Sequence, residues 1–505
     1  MEKSGKILAI AAGVALVLVI MVSAALAYSG RDITLLQDRM LHLSINGYVV
    51  EIPLDEDGQT FDIPSLTTET PNEFILMNDA GSSIEVNETK LQTGKKAKIS
   101  VKKISSNELL TVVITNGKDT RTLYFRTKSA QLPEMIATGS GNGEGEYYVT
   151  DTEKALMYKL NQYGEITWYV ALTQEQADGK IFTDFKKHIL ENDAIRYSYH
   201  IVDPDIETMG IDGYLPGTRV ILDEKYKEVR RDGARVSLLN KDEKNHDKKV
   251  MGDPIDGNGF ILLDDHHSIS QAYKLESVNN IPAELKPDPL GSKVAAAVIQ
   301  EVKDNQVVFE WKSTDHPELY VLSEKGNDFA NSTTKVQDYL HINDMILDPS
   351  DDNLIVSFKN ANTILKIDRK TGEIMWVLSG KGDQFGMSDA QKFSAQSDIS
   401  LAEDGTLIVF DNGNATGKTR VVKLKLDEAN KKLKEYKEFS MPGHVTTNFG
   451  SAEKVDPEKD IYTIGWGINN DNLAALTEMN FTDNKKMLDV VFPNGEKTMR
   501  IQKMK

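Results

Sequence analysis

The sequence predicts an all-β protein: a β-propeller of about six blades, preceded by a small β-sandwich domain and, before that, by a membrane-anchor or signal helix. Two observations carry the prediction for the folded part. The pentapeptide Gly164-Glu165-Ile166-Thr167-Trp168 recurs as Gly372-Glu373-Ile374-Met375-Trp376. Short apolar runs joined by Asn-Gly turns fill residues 40 to 130 without a long helical period.

The first 30 residues stand apart. Lys3 and Lys6 precede an apolar stretch from Ile7 to Tyr28, the pattern of an export signal. Its length of about 20 residues suits an uncleaved membrane anchor. Ala25-Leu26-Ala27 suits signal-peptidase cleavage instead. Residues 1–30 are therefore a signal anchor or a signal peptide, and the remainder is expected to be extracytoplasmic, either membrane-anchored through residues 7–28 or secreted. The chain of 505 residues has no cysteine. Disulfides, thiolate nucleophiles, iron–sulfur clusters and cysteine-ligated zinc are excluded. With 59 Lys+Arg against 77 Asp+Glu the formal net charge is -18, which argues against nucleic acid as a partner.

Residues 40–135 read as the β-sandwich. Leu41 to Ile45 alternates, Asn46-Gly47 turns, and Tyr48 to Ile52 returns; Leu110 to Ile114, Asn116-Gly117 and Arg121 to Phe125 repeat the pattern. Thr138 to Gly143 reads as a Gly-rich linker or loop, and no Lys-Ser/Thr helix follows to make it a phosphate loop. Residues 140–505 read as the propeller. Each Gly-Glu-Ile-x-Trp follows an apolar–Lys–apolar strand, Met157 to Leu160 or Ile364 to Asp368, and a looser copy ends at Trp311. A hairpin ending in an aromatic and repeated at about 60 residues is the pattern of a propeller blade.

A second repeat runs out of phase with the first. Leu340 to Leu347 and Ala395 to Leu401 are each followed by an apolar strand, and Asp265 to Ser270 has a similar opening. Alignment places His267, Asn343 and Ser397 at equivalent positions, the start of innermost strands, where polar side chains face a central channel.

These residues resemble the bacterial aryl-sulfate sulfotransferases. The resemblance rests on the N-terminal β domain, His266-His267, the segment Glu301 to Trp311 ending near Asp315-His316-Pro317, His341-x-Asn343, the strand pair Ser357 to Asp368, and Phe410-Asp411-Asn412-Gly413. It implies an exported six-bladed propeller with an appended sandwich. It also implies transfer of a sulfuryl group from a phenolic sulfate ester to a phenol, through a sulfo-histidine. The family uses no adenosine-phosphosulfate donor and no metal, so no cofactor is implied; a homodimer is left open. By position, His267 matches the first pocket histidine, His341 and Asn343 the His-x-Asn pair, and Lys359 the pocket arginine. Thr447 is the expected hydroxyl residue. Between Gln396 and Asp398, where the family carries its nucleophilic histidine, this chain has Ser397. The catalytic set is therefore His267, His341 and Ser397, and the substrate-binding set Asn343, Lys359 and Thr447.

The residue types suit the chemistry. Sulfuryl transfer needs donors for the peripheral oxygens and protonation of the leaving phenolate. Lys359, His341 and Asn343 supply donors, and an imidazole can serve as nucleophile or acid. A serine hydroxyl needs a base beside it. An alternative is a catalytically impaired propeller that binds sulfated or aromatic ligands at the cell surface. Of nine histidines, His267, His341 and His444 fall near the expected channel mouth.

Overall fold

The computed structural model describes residues 40–53, 57–63, 65–66, 70–101, 110–127, 131–143, 145–235, 253–331, 336–469 and 473–504. The expected N-terminal helix lies outside these residues. Among the described residues no helix is long and apolar enough to cross a membrane. Among the described residues the fold is all-β, relieved by one four-residue α-helix, Gln174–Ala177, and short 3-10 turns. The chain divides into two compact units, Met1–Ser129 and Ala130–Lys505.

The first unit contains a four-stranded and a five-stranded sheet. Met40–Ile45 and Asn72–Asn78 belong to one sheet, Leu110–Asn116 and Asp119–Arg126 to the other. Every second residue of Met40–Ile45 and Leu110–Ile114 is buried, and Leu41, Leu43, Phe74, Leu110, Val112 and Phe125 share one core. Asn46 and Gly47 have φ of 48° and 88°, the left-handed pair that a two-residue hairpin turn requires.

The second unit contains six antiparallel sheets of four or five strands among its described residues. Their innermost strands are Thr498–Met504, Ile181–Ile189, Phe260–Asp264, Ile342–Leu347, Ile399–Leu401 and Ser451–Lys454. Residues of all six line one axial cavity of about 430 Å³. The arrangement is propeller-like. Its ends interlock. The last strand, Thr498–Met504, pairs with Glu146–Asp151 in the first sheet, and Ile136–Gly139 pairs with Lys485–Val491 in the last. The Gly-rich stretch is thus partly strand rather than linker. Gly139 is required there, because a Cβ would lie 2.0 Å from the Met487 carbonyl oxygen.

All six sheets repeat one irregularity. The pairing of the third and fourth strands, counted outward, shifts register after Lys159, Ile221, Glu301, Lys366, Lys425 and Glu478. Trp168 faces Lys159 and Trp376 faces Lys366, each just before the shift, so the two tryptophans occupy equivalent positions. Trp311 does not. Phe309, opposite Glu301, takes that position in the third sheet, and Trp311 lies two residues further, opposite Ile299.

Candidate active site

His341, Asn343, Lys359 and Ser397 gather at one end of the second unit, where innermost strands begin. His341 precedes Ile342–Leu347, and Lys359 follows the adjacent strand Leu354–Phe358. The carbonyls of Leu340 and His341 accept the N–H groups of Asn360 and Lys359, both at 2.8 Å, which brings Lys359 beside the histidine.

The His341 imidazole is 1% exposed. Its ring stacks on Tyr273 with centroids 5.5 Å apart. Nδ1 lies 3.0 Å from Asp338 Oδ2, while Nε2 is buried without a hydrogen-bond partner among the described residues. Burial would raise the Asp338 carboxyl, but the facing His341, Lys325 and Asn360 bring it below its ordinary value. An ionised carboxylate only accepts hydrogen bonds, so Nδ1 carries a proton. Nε2 and Lys359 Nζ both lie beside Gly213. A Cβ on Gly213 would lie 3.6 Å from Nε2 and 3.7 Å from Lys359 Nζ, and the φ of +89° there suits glycine. Burial lowers the Lys359 pKa, although Asp212, Asp338 and Asp256 oppose the shift.

Asn343 and Ser397 occupy equivalent places in consecutive sheets. His341 and Ala395, two residues before each, share a φ of 56°, and Asp344 and Asp398 follow them. Asn343 Nδ2 donates to the Gln396 carbonyl at 3.0 Å. Ser397 is 3% exposed and its hydroxyl donates to the Gly450 carbonyl at 3.1 Å. Its partner is a carbonyl and not a base, so nothing in that contact activates it as a nucleophile.

Two expected members lie elsewhere. His267 opens the second strand of the third sheet, His267–Val278, not its innermost strand. That strand reaches the His341 end only at Gln271 and Tyr273, whose side chains donate to the Ile342 carbonyl. His267 Nε2 instead meets Glu301 at 2.6 Å, and Arg369 grips the same carboxylate at 2.7 Å. The sequence alignment took a hairpin turn, Asp265-His266, for the start of an innermost strand. Thr447 is exposed and faces the Ile468 carbonyl. Its neighbour Asn448 is the residue that reaches Lys359, with a long hydrogen bond of 3.4 Å from Nζ to Oδ1. His444 is buried against Trp466, ring centroids 4.3 Å apart.

Sequence reasoning missed Asp338, Gly213, Asn448 and above all Arg500. The Arg500 guanidinium sits across the channel. It donates to the carbonyls of Asn258 and Asn343 and lies 3.2 Å from Asp344, 3.4 Å from Asp398 and 3.8 Å from Asp184. Those carboxylates hold its pKa above the ordinary value against burial. Burial and the adjacent Asp344 push Asp398 well above the carboxylate range, and burial raises Glu453 to about 8. The axial cavity is lined by Arg500 and these acids, with Ile261, Met345 and Leu401. His341, Asn343, Lys359 and Ser397 are not among its lining residues. The signal for Arg500 was an Arg set directly between two apolar residues, Met499 and Ile501. Among the described residues no group of His, Asp or Glu is placed to hold a metal ion.

No curated protein matches the chain in sequence. Among solved structures, the Cps50 (Swd1) β-propeller domain of Myceliophteria thermophila is 9% identical, covering 73% of this chain and 92% of that one, with a TM-score of 0.37. The periplasmic gluconolactonase PpgL of Pseudomonas aeruginosa is 8% identical, covering 72% and 99%, with a TM-score of 0.37. A quinonprotein alcohol dehydrogenase-like protein of Bacteroides thetaiotaomicron is 10% identical, covering 88% and 93%, with a TM-score of 0.31. At such scores these likenesses do not bear on function. Residues 201–463, just over half of the chain, match the model of the arylsulfotransferase (ASST) family, and the chain belongs to that family.

Proposed function

We propose that the chain is an exported aryl-sulfate sulfotransferase: a six-bladed propeller carrying an N-terminal β-sandwich, which moves a sulfuryl group from a phenolic sulfate ester to a phenol without adenosine-phosphosulfate. Family membership supports the sulfotransferase class. The observation that carries the reading is that His341 Nε2, without a hydrogen-bond partner among the described residues, and Lys359 Nζ both lie beside Gly213. A nucleophile or acid thus stands beside a cation able to hold sulfuryl oxygens. Asn448 and Asn343 add amides at the same end. The partners are small molecules, and residues 7–28 tether or export the protein.

The test is release of nitrophenol from 4-nitrophenyl sulfate by the full chain, with and without a phenol acceptor. Acceptor-dependent turnover, with the sulfate ester of the acceptor as product, is the expected result. A second reading is favoured by Ser397, whose hydroxyl is spent on a carbonyl: a family member that binds aryl sulfates at the cell surface without turning them over. Saturable binding of nitrophenyl sulfate in calorimetry with no nitrophenol released selects that reading.

A further inference from the structure

We infer that the coil from Asp203 to Tyr214 is a hinged lid closed over His341, and that its outward swing about Asp203 and Leu215, rather than the axial cavity, admits a ligand to His341 and Lys359.

The need for a moving part comes from burial. His341 is 1% exposed, and its Nε2 is buried without a hydrogen-bond partner among the described residues. The axial cavity offers no way in. On the strand that follows His341 its lining begins at Asp344, and Arg500 ties the carbonyls of Asn258 and Asn343 together across the channel. A ring so enclosed meets a ligand only when its cover moves.

The coil is that cover. It joins the strands Ile195–Val202 and Pro216–Leu222. Gly213 lies on the Nε2 edge of the imidazole: a Cβ there would be 3.6 Å from Nε2, 3.7 Å from Cε1 and 3.7 Å from Lys359 Nζ. Asp212 and Gly213 are themselves exposed, so solvent lies beyond them.

Its attachment is that of a flap. Both ends are fastened. The Asp203 N–H donates to the Pro216 carbonyl at 2.9 Å. The Leu215 N–H donates to Asp256 at 3.1 Å, and its carbonyl accepts the Gly257 N–H at 3.0 Å and faces His200 Nε2 at 2.9 Å. Between those ends, one hydrogen bond leaves the coil among the described residues, from Asn258 Nδ2 to the Gly213 carbonyl at 3.2 Å. The N–H groups of Asp205, Ile206, Ile211 and Tyr214 bond within the coil. Few outward bonds are the mark of a segment that opens without global unfolding. Gly210 and Gly213 hold φ of 74° and 89°, backbone that glycine enters and leaves at little cost.

Two contacts favour the closed position. Ile211 and Tyr214 are buried in the core that contains Tyr273, Leu340, Ile342 and Phe358. The coil also carries Asp203, Asp205, Glu207 and Asp212 and no Lys or Arg, and the Asp212 charge favours the Lys359 ammonium. An anion that pairs with Lys359 replaces that attraction and meets four like charges, so it binds the open position better.

Two measurements on the full chain test the lid, and neither uses turnover, so the lid stands or falls apart from the sulfotransferase reading. Diethyl pyrocarbonate acylates a neutral imidazole that it can reach, and peptide mapping reads each histidine separately. Exposed His266 and fully buried His200 are the references within the same chain. His341 should react more slowly than His266 but at least about tenfold faster than His200 in native buffer. In hydrogen exchange, the amides of residues 205–214 should exchange well before those of Ile195–Val202, at a rate independent of urea below the unfolding transition. Ile211→Ala removes a closed-position anchor and should speed both processes more than about tenfold. Asp212→Asn, at an exposed position, should speed both about two- to fivefold. His266 and His200 should keep their rates. Should Ile211→Ala not fold, Asp212→Asn decides. His341 as inert as His200, coil amides that exchange only with global unfolding, or rates that neither substitution changes would each overturn the lid.

Discussion

Asp344 accepts the backbone N–H of Ile399 at 3.1 Å, a hydrogen bond from one innermost strand to the next. Asp398 accepts that of Ala452 at 3.2 Å in the following sheet, and Glu453 accepts that of Lys503 in the one after. Three consecutive sheets are thus stitched to their neighbours by a carboxyl group at the start of the innermost strand. The device satisfies N–H groups that sheet pairing leaves open, but it concentrates acids around the channel axis. Arg500 answers their charge.

Removal of that cation should be costly. Arg500→Met leaves Asp184, Asp344 and Asp398 buried without their shared partner. Breaking a buried ion pair from one side costs about 3–5 kcal/mol. Urea unfolding should show a loss of that order in the second unit. Adding Asp344→Asn to Arg500→Met should recover part of it, because the two residues share one network.

Glu453 makes stability depend on pH. Its carboxyl is raised to about 8, chiefly by burial, from an ordinary value of 4.5. A raised acid binds its proton more tightly in the folded chain than in the unfolded one. Its contribution is therefore complete below pH 4.5 and lost as pH climbs through about 8. Glu453→Gln removes that dependence. Melting temperatures between pH 5 and 9 should fall more steeply in the natural chain than in the variant; parallel curves would contradict the assignment.

Lys359 should set the alkaline side of turnover. Its pKa is lowered by burial, so with rising pH its ammonium is lost earlier than that of a free lysine, and nitrophenyl-sulfate turnover should decline with it. Lys359→Ala removes the cation, and loss of one transition-state donor costs about 10²–10³-fold in kcat. Lys359→Arg keeps the charge at every accessible pH. It should abolish the alkaline decline.

Much of this was legible in the sequence because it repeats. The Gly-Glu-Ile-x-Trp copies mark one turn and one register shift, and a pattern of turn, strand and aromatic survives translation into structure without loss. Asn343 and Ser397 were aligned correctly for the same reason. His267 was misplaced because a polar pair before an apolar run signals either the start of an innermost strand or a hairpin turn, and residues Asp265-His266 form the turn. Asp338 and Gly213 carry no pattern; they matter only through what folding brings near them. Arg500 was hidden by topology. It belongs to the first sheet although it is five residues from the end of the chain, and no local signal announces that pairing.

The equivalence of Trp168 and Trp376 can be separated from their energetic weight. Both face a lysine just before the register shift, at the outer edge of their sheets. Trp376 is 1% exposed, packs edge-on to Phe385 at 5.5 Å and shares a core with Ile355, Leu378 and Val409. Trp168 is only half-buried and stacks on Tyr226 at 4.2 Å. Truncating a buried tryptophan costs about 3–5 kcal/mol through lost transfer energy and the cavity left behind. A half-exposed one loses less area, and neighbouring water fills the gap, so mainly the ring stack of about 0.5–1.5 kcal/mol is forfeited. Trp376→Ala should therefore destabilise the second unit at least twice as much as Trp168→Ala in urea unfolding. Equal losses would mean that the turn position itself, rather than burial, sets the contribution.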